Sequence, residues 1–383
     1  MIAGLLSPAG AAALALAAGV ATQDPLVAAE ALRRAGIPPD LAAAALTQAT
    51  LRVRAAAKFG PDAGRMFFTR AGLEQATRGA VAARRAARLH QAGVRHVADL
   101  GCGIGADALA FAGTGIRVSA VDSDPETVAF AAANAAALGL SSLVEVYRGD
   151  ARDADLSTVD GVFCDPARRR SSGRVFDPAG WSPPWDFVAG LAERVPRTVL
   201  KLAPGIDHAL VPPGAEAEWV SVDGEVVEAA FWCGPLASTP RRATLLPSGA
   251  TLTGTGTARA PVGSVRRYLY EPDGAVIRAH LVAEFASTVD GVLADADIAY
   301  VYASEKRVTP FAKCYEVLDV LPFSVKRLRA VLRSRDVGRL TVKKRGSAIE
   351  PDGLRRALRL SGTGEATVVL TRVAGGHVAL LVE

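Results

Sequence analysis

The residues best placed to do chemistry begin with the run Asp99-Leu-Gly101-Cys-Gly103-Ile-Gly105. Glycines on a strand-to-helix turn let a ligand approach the backbone closely, because no Cβ intervenes. Asp99 stands two residues before the first glycine, where its carboxylate can reach an ammonium or ribose group lying along the loop. Asp122 follows 23 residues after Asp99, at the end of a second expected strand, where an acid accepts from both hydroxyls of a ribose. Asp150, within Gly149-Asp150-Ala151, ends a third strand, where a carboxylate accepts from an adenine amino group. Taken singly, each aspartate could be an ordinary helix cap or turn residue. Three at the strand ends of one sheet point to a nucleoside-containing ligand. With Ala106 the loop also satisfies the loose GxGxxA form of dinucleotide sites, so the glycines alone do not choose the cofactor.

These side chains must be carried by alternating strands and helices. Residues 1–90 read as helical, with an Ala-rich run Leu41–Leu51 after Pro39-Asp40 and a second, Arg-rich stretch over Arg70–Leu89. Strands follow at Val94–Leu100, Ile116–Val121, Val144–Tyr147, Gly161–Cys164 and Thr198–Leu202, with helices at Pro125–Leu138 and Asp186–Val195. That alternation predicts a doubly wound α/β domain with a parallel sheet and crossover helices. A hairpin is expected over Glu218–Val222 and Val226–Trp232, turning at Asp223-Gly224. The Thr/Gly-rich Thr251–Thr257 reads as an exposed turn and domain boundary. Beyond it stand a strand at Arg267–Tyr270, helices at Val276–Phe285, Val325–Arg335 and Pro351–Leu360, and a closing hairpin over Thr367–Arg372 and His377–Val382. The expected domains are a helical region 1–90, a catalytic domain 91–257 and an α/β tail 258–383.

The acid followed by GxGxG, with Asp122 and Asp150, resembles the class I S-adenosylmethionine (SAM)-dependent methyltransferases over residues 95–235. The resemblance implies a Rossmann-like sheet in which Asp99, Gly101, Gly103 and Gly105 surround the methionyl part of SAM. It further implies that Asp122 holds the ribose and Asp150 the adenine. After the fourth strand comes Asp165-Pro166-Ala167-Arg168-Arg169-Arg170, similar to the D/N-P-P-aromatic loop of amino-methylating enzymes. In that loop, side-chain and backbone oxygens accept hydrogens from the target amine. Methyl transfer from a sulfonium needs mainly proximity and alignment. The acceptor role carries over to Asp165 and the Pro166 backbone, but Ala167 replaces the second proline and Arg168 the aromatic. Arg168 can stack its guanidinium or bind a phosphate, or simply be solvated. Phe67-Phe68-Thr69 is similar to the aromatic-Thr segment of guanine-N2 methyltransferases of the cap-trimethylating type, which implies that Phe68 and Thr69 close over the cofactor; a core role is the alternative. Pro183-Pro184-Trp185 reads as a helix start.

Helical leader, catalytic domain and basic tail together resemble bacterial class I methyltransferases with a THUMP-like C-terminal domain. The carrying segments are Phe68-Thr-Arg-Ala-Gly-Leu-Glu-Gln-Ala76, Asp165–Arg168, Thr309-Pro-Phe311, Glu316-Val-Leu-Asp-Val-Leu-Pro-Phe-Ser324 and Val342-Lys-Lys-Arg-Gly346. THUMP domains bind structured RNA, so the resemblance implies a tRNA or rRNA acceptor. Charge agrees with it. Net charge is +7 over residues 1–98, −8 over 99–258 and +6 over 259–383, and residues 320–360 alone carry 12 basic and 3 acidic side chains. Such a patch can neutralise phosphates, and Arg329, Arg333, Lys343, Lys344 and Arg345 are the candidate RNA contacts. Few aromatics accompany them, which favours shape and backbone reading over base stacking.

The whole chain of 383 residues is 50% apolar and 22% charged, which excludes a disordered polymer and provides for two or three domains. Four dispersed cysteines without CxxC spacing, and five histidines without ligand spacing, argue against a disulfide framework or a zinc site. A reducing cytoplasm is the expected location. The first 23 residues carry no charge, but no basic segment precedes them and Ser7-Pro8 interrupts the apolar run, so a buried helix is expected rather than a signal or membrane segment. The reading is a cytoplasmic SAM-dependent RNA methyltransferase needing no metal. The alternatives are a methyltransferase for a protein or small molecule, and a non-catalytic protein that binds SAM and RNA. A nicotinamide-dependent oxidoreductase is disfavoured because no Tyr/Lys or His/Asp hydride-transfer pair is apparent.

Overall fold

The computed structural model describes residues 2–167, 169–170, 173–174 and 180–383. Contacts group the chain into two units. The first comprises Met1–Leu202, Asp207–Glu216 and Ala230–Ser238; the second comprises Ala203–Ile206, Ala217–Ala229 and Thr239–Glu383.

The first unit begins with helices α1 (Ile2–Leu5), α2 (Pro8–Val20), α3 (Pro25–Arg34) and α4 (Pro39–Phe59). Ser7 and Asp24 cap α2 and α3, accepting from Gly10 N and Leu26 N, and each cap is followed by proline at the first helical position. Alanines dominate the buried positions, among them Ala13, Ala17, Ala45, Ala49 and Ala55. The stretch expected as one helix over Arg70–Leu89 is two, α5 (Arg70–Gln75) and α6 (Gly79–Gln91). The chain breaks between them because Thr77 turns inward, its hydroxyl donating to Asp107 Oδ2 at 2.5 Å.

Next come β1 (His96–Leu100), α7 (Ala106–Gly113), β2 (Arg117–Asp122), α8 (Pro125–Ala137), β3 (Val144–Arg148), β4 (Gly161–Cys164), α9 (Trp185–Arg194) and β5 (Thr198–Leu202). The five strands are parallel, in the order β3-β2-β1-β4-β5. Helices cover both faces of such a sheet, so its strands read as continuous apolar runs; β4, Gly-Val-Phe-Cys, is buried throughout. Register sets Asp99 opposite Ala120 of β2 and Phe163 of β4, which brings the C-terminal ends of the strands to one edge. Ligands bind at that edge in open α/β sheets, where strand order reverses around β1. Trp185 opens α9, as the Pro183-Pro184-Trp185 reading anticipated.

Two further strands, β6 (Glu216–Val222) and β7 (Glu225–Trp232), form the expected hairpin. Asp223 and Gly224 both adopt positive φ, 53° and 83°, as a tight two-residue turn demands. The end of β7 belongs to the first unit, where Cys233 N donates to Thr198 O beside β5 at 2.9 Å.

In the second unit β8 (Arg241–Leu246) runs parallel to β6 and antiparallel to β9 (Ala250–Gly254). The exposed turn expected over Thr251–Thr257 is therefore corrected: its first half is a strand, with Leu252 opposite Ala243 and the outward threonines solvated. β-Branched threonine suits that half-exposed surface, and the glycines masked the alternation. The unit continues with β10 (Tyr268–Pro272), α10 (Gly274–Arg278), α11 (Val282–Thr288), β11 (Val292–Leu293), β12 (Val301–Ala303), β13 (Ala312–Pro322), α12 (Val325–Ser334), β14 (Val337–Lys344), α13 (Pro351–Leu358), β15 (Gly364–Val373) and β16 (Gly376–Val382). The helix expected over Val276–Phe285 is split into α10 and α11 where His280 takes a positive φ of 60°. Strand order in this seven-stranded sheet is β11-β12-β10-β13-β16-β15-β14. Leu328, Leu332, Leu354 and Leu358 of α12 and α13 bury against Val368, Leu370 and Leu381 on one sheet face. Among the described residues no helix is long and apolar enough to cross a membrane.

One ion pair anchors α6 to α7 in the first unit: Arg85, 2% exposed, pairs with Asp107 and lies over the Phe163 ring, 4.7 Å from its centroid. Replacing Arg85 with leucine leaves Asp107 buried without its cation and is expected to cost about 3–5 kcal/mol. Adding Asp107→Leu should restore much of the loss. Denaturant midpoints of the two variants check this, and a single variant as stable as the parent would refute it.

Candidate cofactor and catalytic site

The turn after β1 is held in a left-handed conformation by its glycines, with φ of 88° at Gly101, 57° at Gly103 and 89° at Gly105. A Cβ on Gly101 would stand 3.0 Å from the carbonyl oxygen of Asp165, so the catalytic-loop backbone lies directly against the glycine loop. A Cβ on Gly103 would meet nothing within 4 Å: that part of the loop faces open space. Asp122 accepts from Gly103 N and Asp124 N, both at 3.0 Å, and so ties the turn to the end of β2. A carboxylate oxygen accepts more than one hydrogen bond, so this leaves Asp122 able to take ribose hydroxyls. Asp150 accepts from Arg152 N at 2.9 Å and pairs with its guanidinium at 2.7 Å, and these bonds hold its carboxyl at about 2, well below the usual range.

Asp99 is fully buried, and neither carboxylate oxygen has a hydrogen-bond partner among the described residues. Burial, then the neighbouring charges of Asp107 and Asp165, push its pKa well up, against the opposing pull of Lys201 and Arg85. Its two acidic neighbours each have a cation of their own: Arg85 pairs with Asp107, and Lys201 pairs with Asp165. Asp99 therefore fits a ligand that brings its own positive charge alongside a loop with no side chains, and the methionyl ammonium of SAM meets that description. Burial likewise pushes the thiols of Cys102 and Cys164 well above their ordinary value, which removes both as nucleophiles.

Asp165 follows β4, with its N–H donating to Leu100 O at 3.3 Å, and Pro166 behind it is buried. Ala167 and Ser182 exchange backbone hydrogen bonds of 2.8 and 3.0 Å. Arg168 lies outside the described residues. Lys201, 13% exposed on β5, was not singled out in the sequence; the available signal was a lone cation inside the apolar strand Thr-Val-Leu-Lys-Leu.

Phe67-Phe68-Thr69 is clamped above the loop from both sides. Gln48 of α4 donates to Phe68 O at 2.7 Å and accepts from Phe68 N at 2.9 Å. Asn134 of α8 accepts from Phe67 N at 2.6 Å and donates to Phe67 O and to Ile104 O in the glycine loop. Phe68 is fully buried, 5.5 Å from the Phe59 ring, and the Thr69 hydroxyl caps α5 by accepting from Gly72 N. Gly72 itself abuts Ile104, since a Cβ there would stand 2.5 Å from Ile104 Cγ2. Gln48 and Asn134 were also missed, although each is a lone amide in an Ala-rich helix.

The five candidate RNA contacts of the tail all have intramolecular engagements within the second unit. Arg329 and Arg333 donate to Ala357 O at 2.5 Å and Arg359 O at 2.8 Å, at the C-terminal end of α13. Lys343 pairs with Glu271 at 2.6 Å and Lys344 with Glu350 at 2.5 Å, while Arg345 lies over the Tyr300 ring. Lys326, Arg327 and Arg356 are exposed on the same two helices. Among the described residues no group of three His, Cys, Asp or Glu side chains could hold a metal.

A parallel sheet with a glycine turn after β1 and acids at its strand ends is the fold of a class I methyltransferase. Residues 97–169 match the family described as a methyltransferase domain, residues 312–383 the one described as THUMP domain-like, and residues 1–55 a domain of unknown function. Two relatives from Mycobacterium tuberculosis, strains CDC 1551 and H37Rv, are each named an uncharacterized S-adenosylmethionine-dependent methyltransferase. Each is 37% identical over 347 residues, covering 86% of this chain and 92% of its own. A crystal structure from Porphyromonas gingivalis W83, whose name marks it as a candidate methyltransferase, shares the fold. It has a TM-score of 0.78, covering 97% and 96% of the two chains at 22% identity. The chain belongs to the S-adenosylmethionine-dependent methyltransferases, with a THUMP-like C-terminal domain and SAM as its cofactor.

Lys58, at the end of α4, donates to Leu73 O at 2.7 Å and Glu74 O at 3.1 Å. Burial first, then the charges of Lys201 and Arg78, lower its pKa from 10.5 to about 8. Between pH 8 and 10.5 the unfolded chain therefore holds a proton that the folded chain has released, so stability rises with pH across that window. Lys58→Met should flatten the rise. Denaturant melts of both proteins from pH 7.5 to 10.5 check it, and parallel curves would count against it.

Proposed function

We propose that this methyltransferase acts on a base nitrogen of structured RNA, with Asp165 and the Pro166 backbone orienting the target amine. The observation that carries the reading is the contact between Asp165 and Gly101: the loop that would hold the amine and the loop that would hold the cofactor touch through backbone. Bound SAM supplies an electrophilic methyl on its sulfonium. Asp99 faces the methionyl ammonium, with Gly101, Gly103 and Gly105 giving room for the chain. Asp122 accepts from the ribose, and Asp150 lies at the adenine end. Phe68 and Thr69 hold the covering segment against the turn, Phe68 from the core and Thr69 as the cap of α5. Lys201 holds one oxygen of Asp165 and leaves the other for an N–H of the acceptor. RNA is supported by the THUMP-like match at residues 312–383 and by the cationic character of residues 320–360.

Labelled methyl from SAM, offered to cellular RNA, protein and small-molecule fractions, tests the acceptor. Label is expected in RNA and should vanish in Asp165→Ala while SAM affinity stays within about threefold. Label confined to another fraction would overturn the RNA assignment, and full turnover by Asp165→Ala would clear that residue. Asp122→Ala should lower SAM affinity by tenfold or more.

Asp99 gives a second handle. Only its ionised form attracts the ammonium, and its folded pKa is raised, so SAM affinity should fall as pH drops through the Asp99 titration. Asp99→Asn should bind more weakly and lose that pH dependence. Calorimetric titrations from pH 5.5 to 8.5 read it, and identical pH profiles would remove Asp99 from the site.

A further inference from the structure

The first unit contains a groove lined by residues to which no role has been given above. It lies among the end of α2, α3, α4 and the start of α5, with a volume of about 330 Å³, at the lower end of small-ligand sites. Leu46 and Leu51 are among its apolar lining, Thr47, Thr50 and Arg54 follow one another along one face of α4, and Arg70 at the start of α5 also lines it. Both threonine hydroxyls already donate to their own helix, Thr47 to Ala43 O and Thr50 to Leu46 O, which leaves their lone pairs outward. No acidic residue lines the groove. Asp24, next to it in sequence, caps α3 through Leu26 N.

Arg54 and Arg70 are exposed, and neither has an ion pair or hydrogen bond among the described residues. The neighbouring cations differ from them. Arg52 donates to Met66 O at 2.8 Å, and Lys58 holds the carbonyls of Leu73 and Glu74. These bonds tie the segment carrying Arg70 to α4, and Arg54 and Arg70 line the same groove. The same segment reaches the glycine loop: two residues beyond Arg70, Gly72 packs on Ile104.

We propose that this groove is a subsite for the phosphodiester backbone of the RNA acceptor, with Arg54 and Arg70 each taking a phosphate. The inference deepens the RNA reading and rests on it. The occupant follows from charge: two unpaired guanidiniums with no carboxylate between them fit a run of phosphates, for which the planar donor fork is well shaped. Continuity supports it, because the wall bearing Arg70 also rests on the turn that holds the methyl donor. The tail candidates Arg329, Arg333, Lys343 and Lys344 are already engaged within the protein, whereas Arg54 and Arg70 are not.

The test uses the full-length protein and bulk tRNA, with binding measured from 50 to 300 mM salt and S-adenosylhomocysteine affinity as the control for an intact cofactor site. Arg54→Gln with Arg70→Gln should weaken tRNA binding about tenfold or more and reduce the log–log salt slope by roughly 1.5–2, one counterion-release increment per lost phosphate contact. Arg54→Lys with Arg70→Lys should keep the parental slope. A glutamine variant with the parental slope overturns the subsite, whether or not its affinity falls. Loss of binding to a poly-glutamate peptide with tRNA binding unchanged would reassign the groove to an acidic protein and equally overturn it. If the parent protein binds no tRNA, the subsite as proposed fails, and the methyl-transfer assay on cellular RNA reports separately whether the RNA reading fails with it.

Discussion

Asp99 lies on β1 between Ala120 and Phe163, and its carboxylate accepts no hydrogen bond among the described residues. An isolated carboxylate costs several kcal/mol or more to bury, so such a group takes a proton or waits for a cation. Among the described residues no cation hydrogen-bonds to it. Arg85 is held by Asp107 and by the Phe163 ring, and Lys201 is held by Asp165. Asp107 and Asp165 thus each have a partner cation, while Asp99 has none among the described residues. The same arrangement explains why the loop must be glycine-rich. A side chain on Gly101 would crowd the backbone carbonyl of Asp165, its Cβ standing 3.0 Å from that oxygen.

The helical leader serves that site through polar contacts made by residues that are otherwise surrounded by alanine. Gln48 satisfies both backbone groups of Phe68, and Asn134 joins Phe67 to Ile104. A buried amide leaves no tolerance for slippage, because each lost partner leaves an unsatisfied polar atom. Apolar packing of alanine on alanine is weak in directionality, since small side chains interlock little. The amides supply the register that such packing lacks. Leader, α8 and glycine turn are therefore held as one body, and the segment before α5 is positioned by bonds at both ends rather than by its phenylalanines alone.

Much of this was legible in the sequence. The parallel strands, the glycine turn and the acids at strand ends follow from apolar runs ending in Asp or Gly, a pattern that survives because both sheet faces are covered. Elements failed to show where local composition concealed the period. Thr251–Gly254 is a strand read as a turn, because threonine and glycine are as common in turns as on exposed strand faces. Arg70–Gln91 is two helices read as one, because a break made by Thr77 bonding to Asp107 needs the partner, 30 residues away, to be known. Lys201 shows the same limit. Its neighbours are apolar, and only the fold reveals that β5 brings its ammonium to Asp165.

The charge pattern shows a sharper limit. The excess of cations in residues 320–360 is real, yet counting it treats every side chain as available. Arg329 and Arg333 face the C-terminal end of α13, where orphan carbonyls and the negative end of the helix dipole draw cations from the neighbouring helix. Lys343 and Lys344 sit at the end of β14, within reach of Glu271 and Glu350. A basic run therefore divides into residues that build the domain and residues that remain to meet a partner, and geometry alone separates them. Within residues 320–360 the remainder includes Lys326, Arg327 and Arg356, spread over two helices and exposed.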